Sequence, residues 1–175
     1  MKKILLVVMI LFLCGCNVSK KETNTNDRYF DMIKLIREND KFASESNYFR
    51  ISTDMAKIDN GYRFYVIVDN PRIAMYNIKV LAIEKDVDYK KTMAANIGIF
   101  EDNEFSMIPN QSNNAKNYVE GVVVSGTCVN PETDLYVLVQ WSNKELTKNS
   151  REFFKVVARY DDGTKKEEVV EEGNE

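Results

Sequence analysis

Carboxylates are the only side chains in this sequence with real scope for acid–base chemistry, because the usual agents are missing. The chain has no histidine, which removes imidazole bases, Ser-His-Asp and Cys-His nucleophile activation, and His-x-x-x-His metal pairs. No Ser-x-x-Lys pair occurs, so lysine activation of a serine has no motif to rest on. Glycine totals seven, and neither G-x-G-x-x-G nor a Gly-Lys-Ser/Thr phosphate loop is present. What remains is Asp86 with Asp88, the run Glu101-Asp102-Asn103-Glu104, and Asp161-Asp162-Gly163. Paired acids cleave glycosides when held at about 5 Å or about 6.5 to 9.5 Å, and carboxylate oxygens bind calcium. None of the three clusters follows the Asp-x-Asp-x-Asp-Gly calcium pattern. Turns between strands are naturally acidic, so solvated loops are the simpler reading. The expectation is that Asp86, Asp88, Glu101, Asp102 and Glu104 stand exposed without converging, and that the chain has no catalytic residue, no metal and no cofactor.

The other reactive residues are three cysteines, Cys14, Cys16 and Cys128. Lys2 and Lys3 open the chain, Ile4 to Leu13 run without a charge, and Leu13-Cys14-Gly15-Cys16 closes the segment. A basic start, an apolar run of about ten residues and a small residue before the cut make an export signal. The run falls short of the about 20 apolar residues of a membrane-spanning helix. The closing tetrapeptide resembles the lipobox of bacterial lipoprotein signal peptides, with Leu13 at −3, Gly15 at −1 and Cys16 at +1. Cys14, at −2, departs from the commoner Ala, Ser, Thr or Val. The resemblance implies that residues 1–15 are removed and that Cys16 carries a diacylglycerol and anchors the chain to the outer side of a cell membrane. A disulfide within the mature domain is then excluded. Cys128 follows Val122-Val123-Val124 in a strand-like run and is expected to be a buried thiol acting as a small hydrophobe.

Composition narrows the rest. About 160 residues after the signal suffice for one domain and not for two. Without Lys2 and Lys3 the balance is 22 basic to 27 acidic residues, a charge that argues against nucleic acid, whose binding needs a basic patch. Lysine outnumbers arginine 17 to 7 and asparagine is abundant, the usage of AT-rich coding and of a low-GC Gram-positive source.

The elements that must position these residues follow from periodicity. Residues 16–26 combine Cys16 with a polar stretch that reads as a flexible tether. Tyr29, Met32, Ile33 and Ile36 lie at i, i+3, i+4 and i+7, predicting one helix capped by Asn26 or Asp27 and ended by Asn39-Asp40. From Asn47 the period becomes two. Tyr62 to Asp69, Tyr76 to Glu84, Val119 to Val124, Leu135 to Trp141 and Phe153 to Tyr160 read as strands, with weaker signals at Phe49 to Thr53, Met93 to Phe100 and Glu104 to Ile108. Asn60-Gly61 marks a turn and Asn70-Pro71 a stop. Val123 and Val124 break the alternation, as a central strand buried on both faces would. Phe64, Val66, Val68, Ile78, Val80, Leu135, Val137, Val139 and Trp141 form the expected core. Residues 161–175, with nine charged side chains, read as a disordered acidic tail.

Seven or eight short strands without crossover helices predict a mostly β chain: an antiparallel β-sandwich over residues 27–160 with one N-terminal helix. The pattern looks like the immunoglobulin-like and fibronectin-type domains common on exported proteins, in architecture only. Tyr62, Tyr65, Tyr76, Tyr89, Tyr118 and Tyr136 are spread over the strands. Tyr65 and Tyr136, out of phase with their apolar neighbours, are expected either to face a partner or to form a second buried layer under the helix. The functional expectation is a lipid-anchored extracytoplasmic domain that binds a protein, peptide or cell-wall polymer. A carboxylate-based glycoside hydrolase and a structural subunit of an envelope secretion or conjugation assembly are the alternatives.

Overall fold

The computed structural model describes residues 25–101 and 104–163. The export signal, Cys16, nearly all of the tether, Asp102 and residues 164–175 lie outside these. Helix α1 (Thr25–Glu38) comes first, followed by seven strands: β1 (Arg50–Ile58), β2 (Gly61–Asp69), β3 (Tyr76–Ile83), β4 (Ala95–Ile97), β5 (Gly121–Cys128), β6 (Glu132–Ser142) and β7 (Asn149–Arg159). They form two antiparallel sheets, β1-β2-β5 and β4-β3-β6-β7. The two sheets make a two-layer antiparallel β-sandwich, with β4 paired to β3.

The expected core is the actual core. Phe64, Val66 and Val68 from one sheet meet Ile78, Val80, Leu135, Val137, Val139 and Trp141 from the other, all buried. Strict alternation produces this, since residues i, i+2 and i+4 of a strand share a face. The outer face of the four-stranded sheet is buried too. Leu81, Ile83 and Leu138 project there and are roofed by Tyr29, Met32, Ile33 and Ile36 of α1, which make a second core. That explains why β3 reads as a nearly continuous apolar run. The helix begins at Thr25, so Asn26 and Asp27 lie in its first turn rather than before it.

After α1 the chain runs along the outer edge of β7. Ala43 pairs in parallel with Phe154, through Ala43 N to Phe153 O at 2.8 Å and Lys155 N to Ala43 O at 3.3 Å. Phe49 then packs edge-on against Trp141 and Phe154, and the chain enters β1.

Three expectations are corrected. Glu104 to Ile108 is not a strand; it makes separate bridges, with Met107 paired to Met75 and Phe105 O accepting from Ile78 N at 2.9 Å. The pairing of β3 with β6 changes register between Tyr76 and Lys79, where Asn77 has a φ of 49°, an irregularity of the kind that disrupts a ladder locally. β5 is an edge strand, not a central one: Val122 and Val124 are buried while Val123 is 52% exposed. Cys128 is only half-buried at the end of β5, its Sγ 3.3 Å from Asn130 O, and burial raises its thiol pKa.

Candidate binding face

The two outer faces of the sandwich differ. On the helix-covered side Tyr136 lies against Phe42, with Lys85 and Lys155 over its ring, so it belongs to the covering layer. The outer face of β1-β2-β5 has no such roof among the described residues. The register places Ser52, Ile67 and Val123 in one row across it, Asp54, Tyr65 and Ser125 in the next, and Ala56, Arg63 and Thr127 in a third. Tyr65 is half-buried here on the open sheet. Of the two tyrosines expected either to face outward or to lie under the helix, Tyr65 takes the first place and Tyr136 the second, while Tyr89 is buried and Tyr62 packs on Tyr160.

At one end of this face a hollow of about 700 Å³ opens between the sheet and the loops that follow β2 and precede β5. Ile67 and Val123 supply its apolar floor, Asn110 and Gln111 its amide wall, and Asp69 and Glu120 its charge. Asn70 and Asn110, with φ of 50° and 59°, turn the chain sharply at its rim, a conformation asparagine tolerates better than other side-chain-bearing residues. Asp69 is held in a two-pronged pair by Arg50, with Nε to Oδ1 at 2.8 Å and Nη2 to Oδ2 at 2.6 Å. Those bonds hold its carboxyl below the usual aspartate range. Glu120 carries no ion pair among the described residues. No basic side chain lines the hollow. A second depression, of about 710 Å³ along the β1–β7 seam, is lined instead by charged side chains including Lys57 and Arg159.

The acidic clusters lie elsewhere. Asp86, Asp88, Glu101 and Glu104 are exposed and none lines the hollow. Asp88 accepts from Lys90 N at 3.1 Å and pairs with Lys91 at 3.8 Å. Glu104 accepts from Asn77 Nδ2 at 2.8 Å. Asp161 and Asp162 border the β1–β7 depression. No group of three or more His, Cys, Asp or Glu residues suited to a metal occurs among the described residues.

Sequence reasoning did not anticipate the hollow, whose parts come from β2, β5 and a loop more than forty residues from β2. Nor did it anticipate Lys79, buried on the outer face of β3 with its ammonium on Asn77 Oδ1. Burial lowers the Lys79 pKa. Compared with models of protein families, with curated proteins and with solved structures, the chain matches none.

Proposed function

We propose that this chain is a lipid-anchored extracytoplasmic binding domain, held to the cell membrane through Cys16 and acting by recognition rather than catalysis. The observation that carries the reading is the unequal treatment of the two sheets. A helix and a strap of extended chain seal one outer face, while the other keeps a hollow with an apolar floor and polar walls, the common make-up of recognition sites. The lipobox-like Leu13-Cys14-Gly15-Cys16 supplies the anchor, and the acidic balance of the chain disfavours nucleic acid as a partner. A protein, peptide or cell-wall polymer is the class of partner such a face suits.

The test uses the full chain with Cys16→Ser, purified and added to isolated cell envelopes. Saturable retention is expected, weakened at least about tenfold by Val123→Glu in the hollow and unchanged by Lys85→Glu on the sealed side. No retention, or equal loss in both variants, sinks the reading.

A further inference from the structure

The four sheet edges are not equally protected. β4 is three residues long and offers almost nothing to pair with. β7 has its outer edge taken by Ala43, and Arg151, Lys155 and Arg159 alternate along it. β1 carries Arg50, Asp54 and Lys57, and Thr53 Oγ1 ties it to Val157 O at 2.8 Å. Shortness, charge and cover are the devices by which sheets avoid edge pairing. β5 has neither shortness nor charge, and the cover it has is β4 of the other sheet lying beside it, with no backbone hydrogen bond between the two among the described residues. Its eight residues, Gly-Val-Val-Val-Ser-Gly-Thr-Cys, include no charge and no proline. Among the described residues its backbone has no strand partner beyond β2. Val123, Ser125 and Thr127 stand exposed along it.

We infer that β5 takes up an extended polypeptide segment of a partner protein as an added strand, with a lysine or arginine of that segment entering the hollow. This rests on the binding reading above and names its ligand. Main-chain hydrogen bonds to an edge give such complexes their affinity, and pockets for alternate side chains give them specificity. The hollow abuts the Gly121 end of β5, with Val123 shared between edge and floor. Of its two carboxylates Asp69 is already paired with Arg50, while Glu120 carries no ion pair among the described residues, so a cationic side chain is the complement of Glu120. A short β-branched strand with one basic end fits both features.

The probe is a synthetic eight-residue peptide of alternating valine and threonine ending in lysine, titrated into the full chain with Cys16→Ser. Saturable binding is expected, with slowed amide hydrogen exchange confined to Gly121–Cys128. Replacing the peptide lysine by glutamate should weaken binding about tenfold, as should Glu120→Gln in the protein. N-methylation of alternate peptide residues should abolish binding in one phase and spare it in the other, because only one set of amides faces the domain. Indifference to both N-methyl series, or unchanged exchange in β5, overturns strand addition. Self-association of the chain through β5 without peptide overturns it in favour of a second copy. Retention on cell envelopes with no peptide binding overturns the strand alone; loss of both overturns the binding reading as well.

Discussion

Gly126 lacks a side chain at the place Phe64 needs. The two face each other across β2 and β5, and a Cβ added to Gly126 would sit 2.5 Å from Cζ of Phe64. The ring lies over the glycine, so Phe64 fills part of the layer that a larger residue on β5 would otherwise supply. Gly126→Ala should therefore destabilise the fold by about 1 to 3 kcal/mol through overpacking. Much less loss is expected in a Phe64→Leu background, where the tip of the ring is gone. A double-mutant cycle by denaturant unfolding measures that coupling, and additive losses would show that the two do not share the space. At this scale the phase of Phe64 was legible, because Val66 and Val68 repeat it within the same strand. Its pairing with Gly126 was not, since a glycine gives no periodic signal and cross-strand partners depend on register. The contact of Lys79 with Asn77 was hidden for a similar reason: it sits at a register shift of β3, where Asn77 has a left-handed backbone.

Elements show a second pattern of success and failure. The helix and five of the six longer strands were legible from apolar spacing, while β1, nine residues long, gave only the weak signal at Phe49 to Thr53. Weak stretches depended on neighbours. β4 is only three residues and is followed at once by Gly98 with a φ of 75°. β5 runs four residues past its expected end because Ser125, Gly126 and Thr127 keep the ladder without adding apolar signal. The seam between α1 and β3 carries a titratable group of its own. Tyr89 is buried there, its oxygen accepting from Glu84 N at 2.8 Å, and burial pushes its pKa from the ordinary 10.0 to about 12. Below its unfolded value both states keep the proton, and its contribution is fully present. Between the unfolded and folded values only the unfolded chain loses the proton, so stability falls as pH rises through that window. Tyr89→Phe should remove this part of the alkaline decline, at a cost near neutrality of about 1 kcal/mol for the lost acceptor. Unfolding curves at pH 8 to 12 measure it; identical alkaline slopes in the two proteins would refute the assignment.

For the whole molecule, strand number and two-layer architecture were readable, whereas the assignment of strands to sheets was not. Val123 illustrates the difficulty. Three consecutive valines suit a strand buried on both faces, and only the strand order shows that the middle one faces solvent. Likewise the hollow assembles from segments far apart in the chain, with no local pattern to announce it. The proposed lipid anchor concerns the whole chain and is tested there. Cys16→Ser should move the protein from the detergent phase to the aqueous phase and release it into the medium. Cys14→Ser should partition like the wild type, and equal behaviour of the two variants would remove the lipobox from the account.

The seam under α1 also decides how this body responds to load. A pull on Thr25 against a counter-pull on β5 passes first through the helix, then across both sheets. The sheets resist with ladders of backbone hydrogen bonds strained together. α1 is held by side-chain packing and by a few polar contacts, among them Ala94 N to Tyr29 Oη at 2.8 Å and Arg37 to Val87 O, which can give way one after another. The helix is thus the mechanical fuse. Unravelling its 14 residues would lengthen the link by roughly 2 Å per residue, about 28 Å in all, while the core between the sheets stays closed.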